Sequence, residues 1–266
     1  MRPDPERVAA VIAEIADAEI LPRYRKLEPG AVRAKESLSD LVTVVDEAVE
    51  RALKSALCAL SPGAAFIGEE AASADPSILS GLGERACWIV DPLDGTRNFV
   101  RGVDEFGTIV AYVENGQTVI GWIYAAPERS MAIAVAGQGA MWRGAMVQTA
   151  PQRGMRPTGL KSTGWLTPVW RDRLVASLKA HVDSASGHCS AYAYLKLLMG
   201  EVDFKLASRI HSWDHAAGAL ILSEAGGAVR WLDTGAPYAP QASRDHPLLA
   251  TAPGRDWDDI AERLLC

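Results

Sequence analysis

Acidic residues directly follow two short apolar runs of this sequence. Glu69 follows the run at residues 64–67, and Asp91 and Asp94 follow the run at residues 87–90. Because open sheets commonly place functional loops at the carboxyl ends of their strands, we expect these side chains to meet. Carboxylates that are forced together repel one another unless a cation lies between them, and such oxygen ligands suit Mg²⁺ or Mn²⁺. The pattern therefore indicates a divalent-metal site.

The segment Asp-Pro-Leu-Asp-Gly at residues 91–95 suggests how two of these acids are arranged. Pro92 fixes its own φ angle, and Gly95 permits a tight turn at the end of the segment. Asp91 and Asp94 can then point into the same space instead of diverging.

Each acidic pattern also has an ordinary structural explanation. A segment such as 91–95 is usually a surface turn, and Asp214, expected in the first turn of a helix, would favour the helix dipole there. These explanations weaken because residues 88–90, Trp-Ile-Val, are typical of a buried strand, where solvated charges are unfavourable. From the residues alone we predict a divalent-metal hydrolase.

Hydrophobic spacing predicts the elements that position these acids. Helices are predicted at residues 7–21, after Thr43, at 168–181, 190–199 and 213–225, and from Asp256. Strands are predicted at residues 64–67, 87–90, 109–113, 119–124, 131–135, 202–207, 228–232 and 247–251. Local signals accompany them: Thr43 with Asp46 and Thr167 with Pro168 as helix starts, and Asn115-Gly116 as a hairpin turn.

The order of these elements predicts two halves. Residues 1–144 form an α+β half with antiparallel sheet and the metal-binding turns. Residues 145–266 alternate helix and strand and complete the active site.

Composition narrows the class of protein and its partners. The 266 residues are 48% hydrophobic and 23% charged, which is typical of a soluble globular protein. The net charge of −6 argues against nucleic acid and anionic membranes, and no apolar run approaches the about 18 residues that span a bilayer. The chain starts directly with a predicted amphipathic helix, and its four separated cysteines form no CxxC pair. We therefore expect a cytoplasmic protein with free thiols and no zinc site.

The acidic motifs occur in an order that resembles the inositol monophosphatase family of magnesium-dependent, lithium-sensitive phosphatases. The matching segments are Lys35 before Asp-Leu-Val-Thr-x-x-Asp at 40–46, Gly-Glu-Glu at 68–70, Trp-Ile-Val-Asp-Pro-Leu-Asp-Gly-Thr-Arg-Asn-Phe at 88–99, and Trp-Asp at 213–214 with Glu-Ala-Gly-Gly at 224–227. The resemblance covers nearly the whole chain. It implies an α/β (α+β) fold, the layered αβαβα sandwich of sugar phosphatases, often assembled as a homodimer.

The resemblance also implies a cofactor, two to three Mg²⁺ ions. Glu69, Asp91 and the backbone carbonyl of Leu93 would be ligands of the first ion. Asp91, Asp94 and Asp214 would be ligands of the second, with Asp91 bridging and a weaker third ion near Glu69. Such pairs of ions can stabilise both the attacking and the leaving oxygen of an in-line displacement.

The same resemblance assigns catalytic and substrate-binding residues. A metal-activated water near Glu69 and the Thr96 hydroxyl would be the nucleophile, with Asp46 orienting Thr96. The phosphate would lie on the backbone N–H groups of Gly95 and Thr96, at a helix start. The implied substrate-binding set is Glu69, Leu93, Asp94, Gly95, Thr96, Ser190 and Asp214.

The sequence departs from the family pattern on the alcohol side of the expected pocket. Inositol phosphatases proper carry a Glu seven residues before the Trp-Asp aspartate, where this chain has Ala207. Their Gly-Thr-Ala-Ala segment corresponds here to His-Cys-Ser-Ala at residues 188–191. Because a carboxylate that pairs with ring hydroxyls discriminates strongly between substrates, its loss predicts weak selectivity for inositol. Arg97 and Arg209 are candidates for phosphate contact, for contact with a partner subunit, or for solvated surface.

The leading interpretation is a Mg²⁺-dependent phosphatase of a small phosphorylated alcohol. Inositol-1-phosphate, histidinol phosphate, a sugar phosphate and a nucleotide 3′-phosphate remain open as substrates. A non-catalytic, metal-binding relative is the alternative from another class, and the presence of every expected ligand argues against it. A metal site formed by His188, Cys189, His211 and His215 is disfavoured because their spacing matches no zinc pattern.

Overall fold

The computed structural model describes residues 2–28, 30–34, 41–147, 156–240 and 246–266. Its α-helices are α1 (Pro5–Glu19), α2 (Val44–Leu60), α3 (Glu69–Ala74), α4 (Thr96–Arg101), α5 (Pro168–His181), α6 (Ser190–Leu198), α7 (Ser212–Glu224) and α8 (Trp257–Leu265). Short 3-10 turns occur at Leu21–Arg23, Pro76–Gly83 and Ala126–Glu128. Within the described ranges, no helix is both long enough and apolar enough to cross a membrane.

The strands form a larger sheet, a smaller sheet and a short pair. The strands are β1 (Val32–Ala34), β2 (Leu41–Thr43), β3 (Ala65–Gly68), β4 (Ala86–Asp94), β5 (Gly107–Glu114), β6 (Gln117–Ala125), β7 (Ser130–Val135), β8 (Ala140–Trp142), β9 (Ala145–Met146), β10 (Thr158–Ser162), β11 (Asp183–Ser186), β12 (Phe204–Ala207), β13 (Ala228–Trp231) and β14 (Leu248–Thr251). The larger sheet runs β3-β4-β5-β6-β7-β8-β9, and only its β3–β4 pairing is parallel. The smaller sheet runs β11-β10-β12-β14-β13, with β10 parallel to both of its neighbours.

Helices and sheets alternate in layers. Helices α1 and α2 cover one face of the larger sheet, and α6 and α7 pack between its other face and the smaller sheet. Helices α5 and α8 cover the outer face of the smaller sheet. This is the αβαβα sandwich that the sequence predicted, so the prediction of fold class is confirmed.

Strand β4 is buried on both faces, and this burial positions the acidic residues. Trp88 and Val90 pack towards α1 and α2, whereas Cys87 and Ile89 pack towards α6 and α7. Because successive side chains of a strand point to opposite faces, a continuous apolar run fits such a central strand. The strand therefore carries Asp91 at its carboxyl end into the interior of the molecule.

Several local predictions are confirmed. Thr43 and Asp46 form a capping box at the start of α2, in which the Thr43 backbone N–H donates to Asp46 Oδ2 at 2.8 Å. Asn115 and Gly116 both have positive φ, 48° and 79°, in the turn between β5 and β6. Pro168 is the first residue of α5, as predicted.

Other local features differ in detail from the prediction. Thr167 is the N-cap of α5, as predicted, but its side chain accepts no capping hydrogen bond, and the Arg171 backbone N–H donates to the Thr167 carbonyl at 2.9 Å. The hydrophobic spacing did not predict the short elements α3, β10 and β11, whereas the helix start that the family resemblance implied at Gly95 and Thr96 is the start of α4. Helices of six residues contain fewer than two turns, and β11 is a polar edge strand, so neither produces a clear hydrophobic period.

Candidate active site

Residues 91–94 belong to the end of β4, so the chain turns only at Gly95 and not over the whole segment 91–95 that the sequence predicted as a turn. The pairing of β4 with β5 extends to Asp94 but is irregular between Asp91 and Asp94. This irregularity aims both carboxylates inward, as a bulge does by adding local twist. Gly95 then reverses the chain at φ 85°, where an added Cβ would lie 2.8 Å from the Glu105 carbonyl oxygen.

Three carboxylates converge at this point. Asp91, Asp94 and Asp214 each offer an oxygen atom, and these atoms lie within 4.8 Å of one another. Asp214 comes from the first turn of α7, as predicted. Burial raises the pKa of Asp91 and of Asp214, and repulsion from neighbouring carboxylates raises both further. A cluster of hard oxygen donors whose negative charges repel one another fits a divalent cation such as Mg²⁺.

Glu69 is the first residue of α3 and lies beside this cluster. Its charge and a hydrogen bond contribute to the raised pKa of Asp91, after the larger effect of burial. The start of α3 is held by Glu50, whose carboxylate accepts from the backbone N–H groups of Glu70 at 2.8 Å and Ala71 at 2.9 Å. Gly68 makes room for this contact, since a Cβ there would lie 2.3 Å from the Glu50 carboxylate.

Sequence reasoning missed Glu50, although the sequence contains a signal for it. Asp46, Glu50, Leu53 and Leu57 are spaced by four, three and four residues, so they share one face of α2. All four are buried in the structure. Acidic residues that continue an apolar stripe indicate buried carboxylates with dedicated partners.

The Thr96 hydroxyl lies within hydrogen-bond distance of two acceptors. Asp46 Oδ1 is 2.8 Å away and the Leu93 carbonyl oxygen is 2.9 Å away. Asp46 is fixed in turn by the Thr43 hydroxyl, at 2.5 Å from Oδ2. Burial raises the pKa of Asp46 to about 6, against the opposing effect of its hydrogen bonds to Thr43 and Thr96. The structure thus brings Asp46 and Thr96 together in the way that the family resemblance implied.

Asp94 is held by the segment that departs from the family pattern. Its Oδ2 atom accepts from the Ala191 backbone N–H at 2.5 Å and from the Cys189 thiol at 2.9 Å. Burial, together with the adjacent Asp94, raises the pKa of Cys189, so its sulfur keeps its proton and donates. The sequence singled out Cys189 as part of this departure and as a member of a disfavoured metal site, and the contact with Asp94 was not predicted.

A cleft of about 390 Å³ opens beside the three carboxylates. Of the predicted site residues, Asp94, Ser190 and Asp214 line it, as does the departing position Ala207. The basic residues that line it are Arg97, Lys161, Lys205 and Arg209. Lys205 was not predicted; it lies two residues before Ala207, so both side chains are on the same face of β12.

His215, which lines the cleft, has partners other than the carboxylate cluster. His215 is buried, its Nδ1 lies 2.8 Å from the Tyr194 hydroxyl, and its Nε2 lies 3.3 Å from the Arg209 carbonyl oxygen. Burial keeps the pKa of His215 well below its usual value.

Lys35 and Asp40, which contributed to the family resemblance, lie outside the described residues.

Comparison with known proteins gives a consistent result. A sequence model of the inositol monophosphatase family matches residues 4–264. Inositol-1-monophosphatase SuhB of Mycobacterium tuberculosis is 33% identical over 256 residues, which covers 86% of each chain. Two solved structures share the fold. The extragenic suppressor protein suhB from Bartonella henselae has a TM-score of 0.82 at 22% identity and 97% coverage of each chain. An IMPase/NADP phosphatase complexed with Mg²⁺ and phosphate has a TM-score of 0.78 at 18% identity, covering 97% of this chain and 94% of that one. The chain therefore belongs to the inositol monophosphatase family, whose members are phosphoric monoester hydrolases.

Proposed function

We propose that this chain hydrolyses small phosphorylated alcohols in a reaction that requires Mg²⁺. The observation that carries the proposal is the convergence of Asp91, Asp94 and Asp214 beside a cleft, next to the hydrogen-bonded pair of Asp46 and Thr96. A non-catalytic relative would be expected to have lost part of this set, and every member is present. The Mg²⁺ and phosphate of the IMPase/NADP phosphatase structure support the choice of ion.

The proposed ligand set consists of Asp91, Asp94, Asp214, Glu69 and the Leu93 carbonyl, for two to three ions. When bound, Mg²⁺ supplies Lewis-acid activation of water and neutralises charge on the phosphate. Asp91 and Asp214 fit this role because burial and repulsion from neighbouring carboxylates raise the pKa of each in the protein alone.

The attacking water molecule is proposed to be oriented and deprotonated by three residues, Thr96, Asp46 and Glu69. If the Thr96 hydroxyl donates to Asp46, its oxygen keeps a lone pair that can accept a hydrogen bond from the water. Glu69 accepts the proton that the water loses as its oxygen attacks phosphorus. The bond between phosphorus and the alcohol oxygen breaks, and the alcohol leaves with a proton taken from solvent. The backbone N–H groups of Gly95 and Thr96 are proposed to hold the phosphate oxygens.

The physiological substrate is a separate question from the reaction. The name of the Mycobacterium tuberculosis relative makes inositol-1-phosphate one candidate. Ala207 in place of a glutamate argues against strong selectivity for a polyol, because it removes an acceptor for ring hydroxyls. Histidinol phosphate, sugar phosphates and nucleotide 3′-phosphates therefore belong in the same comparison.

Phosphate release tests the proposal. The purified protein is assayed with inositol-1-phosphate, histidinol phosphate, glycerol 2-phosphate and a nucleotide 3′-phosphate, with Mg²⁺ and with excess chelator. We expect release that requires Mg²⁺ and is inhibited by Li⁺; undiminished turnover in chelator would refute the metal requirement. A homodimer and a cytoplasmic location rest on the family resemblance and the composition, and light scattering after size exclusion tests the dimer.

A further inference from the structure

Lys205 places a buried amine on the wall that the smaller sheet contributes to the cleft. Along β12, Phe204 and Leu206 pack towards α5 and α8, so Lys205 and Ala207 face the opposite way. Lys205 is only 6% exposed. Its ammonium donates to Ser190 Oγ at 3.0 Å and lies 4.3 Å from the centre of the Tyr194 ring.

The charge of Lys205 lacks a dedicated counter-ion. Among the described residues, no carboxylate forms an ion pair with it. Burial lowers the pKa of Lys205, and the charges of Asp214 and Asp94 oppose that shift. Both of these acids belong to the proposed Mg²⁺ ligand set, so their charge is needed elsewhere. A buried ammonium without an ion-pair partner is costly, which makes it a good receptor for an anion that arrives with a ligand.

The lining of the cleft has an excess of basic over acidic residues. Arg97, Lys161 and Arg209 line the cleft together with Lys205, and the acids that line it within the described chain are Asp94 and Asp214. Arg209 stacks over Trp165, with its guanidinium carbon 4.9 Å from the ring centre. Ala207, where inositol phosphatases carry a glutamate, adds no negative charge. An uncharged polyol would leave Lys205 without a counter-ion.

We propose that the alcohol part of the substrate carries a second anionic group, a phosphate or a carboxylate, which binds Lys205 with Arg97 and Arg209 beside it. This inference rests on the proposed phosphatase activity and defines its substrate class. The second anion would be the ion-pair partner that Lys205 lacks among the described residues. Charge-assisted hydrogen bonds of this kind are short and strong, so they contribute to affinity as well as to orientation.

Two matched substrate pairs test the inference and distinguish the two kinds of anion. Glycerol 2-phosphate and 2-phosphoglycerate differ by one carboxylate, and adenosine 3′-monophosphate and adenosine 3′,5′-bisphosphate differ by one phosphate. We expect kcat/KM to be about 10–100-fold higher for the member that carries the second anionic group in at least one pair. High salt should reduce this preference, since it screens the partly exposed arginines.

Substitutions at Lys205 localise the effect. In Lys205→Met the ratio of kcat/KM within the preferred pair should fall by about tenfold, and Lys205→Arg should restore part of it. Lys179→Met, at an exposed lysine of α5, is the matched control and should leave the ratio at its wild-type value. If Lys205→Met does not fold, the wild-type ratio and its salt dependence still decide the question.

The outcomes separate this inference from the proposed activity. Phosphate release without a preference for 2-phosphoglycerate or adenosine 3′,5′-bisphosphate over its partner in the pair would overturn the inference. It would leave the proposed phosphatase activity supported. A preference that Lys205→Met leaves unchanged would also overturn the inference. Absence of release from all four compounds in Mg²⁺ would refute the proposed activity and this inference with it.

Discussion

The acidic side and the basic side of the cleft are built in different ways. The acidic side consists of Glu69, Asp91, Asp94 and Asp214, which lie at the ends of β3 and β4 and at the start of α7. Its members occur in short contiguous motifs, and their backbone is held by a strand buried on both faces. The basic side consists of Arg97 on α4, Lys205 on β12 and Arg209 in the connection from β12 to α7.

This difference teaches which part of the site is free to vary. The acidic side must keep several carboxylates in register, so a change at one position disturbs the others. The basic side can change one residue at a time without altering the backbone. Although the chain has a net charge of −6, the basic side of its cleft is therefore positively charged at the place proposed to bind the alcohol part of the substrate. Substitutions on the acidic side should therefore affect the rate with every substrate, whereas substitutions on the basic side should affect the choice of substrate.

The largest expected effect lies on the acidic side, at Glu69. Glu69→Gln removes a proposed ligand and the proposed proton acceptor, so kcat should fall by about 10²–10⁴-fold for every substrate. Phosphate release from both members of each substrate pair measures this. Glu70→Gln, at the next residue, is the matched control, with kcat expected within about threefold of wild type. A selective loss of one substrate in Glu69→Gln would place Glu69 on the selectivity side instead.

The acidic side should also make the metal-free protein sensitive to pH. Because the folded state holds the Asp46 proton more tightly than the unfolded state, stability falls as the pH rises from 3.8 to about 6. For Asp46 alone the loss is about 3 kcal/mol, and the raised pKa values of Asp91 and Asp214 act in the same direction.

Thermal unfolding in chelator measures this effect. The melting temperature should be lower at pH 7 than at pH 5, and Mg²⁺ should raise it most at pH 7. Asp91→Asn should stabilise the metal-free protein at pH 7 while abolishing turnover, and Asp172→Asn, at an exposed position on α5, is the control. A metal-free wild type that melts no lower than Asp91→Asn at pH 7 would contradict this account.

The sequence was informative where local rules and burial agree. The capping box of Thr43 and Asp46, the Asn115-Gly116 turn and the apolar run of β4 each depend on neighbouring residues alone, and all three form as predicted. The acidic residues of the sequence motifs, Asp91, Asp94 and Asp214, converge because they are attached to the ends of a buried strand and a buried helix. The family resemblance, more than the periodicity, supplied their individual roles.

The sequence was less informative where a contact joins distant segments. Glu50 lies on α2 but holds the start of α3, and Lys205 lies on β12 but contacts Ser190. Neither contact has a local signature, since both depend on how layers of the sandwich meet. The segment 91–95 was predicted as a turn because Pro92 and Gly95 dominate its local preferences, whereas pairing with β5 extends the strand to Asp94.

Thr96→Ala should weaken the reaction step without changing selectivity. The hydroxyl lies 2.8 Å from Asp46 and 2.9 Å from the Leu93 carbonyl, so its loss removes a fixed partner for the attacking water. We expect kcat to fall by about 10–100-fold with little change in KM, equally within each substrate pair. Thr96→Ser retains the hydroxyl and should recover most of the rate. A rise in KM alone would indicate that Thr96 binds substrate and does not act on the water.

Ala207→Glu should reverse the character of the basic side. The new carboxylate would lie on the same face of β12 as Lys205 and would compete with a substrate anion for it. Within a pair, the ratio of kcat/KM for the substrate with the second anionic group to kcat/KM for the substrate without it should fall by about tenfold, and inositol-1-phosphate should gain in relative rate. Ala207→Gln has the same size without the charge and is the matched control. Equal effects of Glu and Gln would point to crowding in place of charge.

The smallest expected effect concerns Cys189, which joins the two sides. It belongs to the segment that departs from the family, yet its thiol donates to the proposed ligand Asp94 at 2.9 Å. Cys189→Ala removes one of two donors to Asp94 Oδ2, and the Ala191 backbone N–H remains. We expect the half-saturating Mg²⁺ concentration to rise by about three- to tenfold, because outer contacts orient a ligand, and Cys189→Ser to restore it. Cys87→Ala removes a buried thiol from β4 and is the matched control, which should lower the melting temperature without changing the Mg²⁺ requirement. If both alanine variants change the Mg²⁺ requirement equally, Cys189 has only a packing role and the two sides of the cleft are independent.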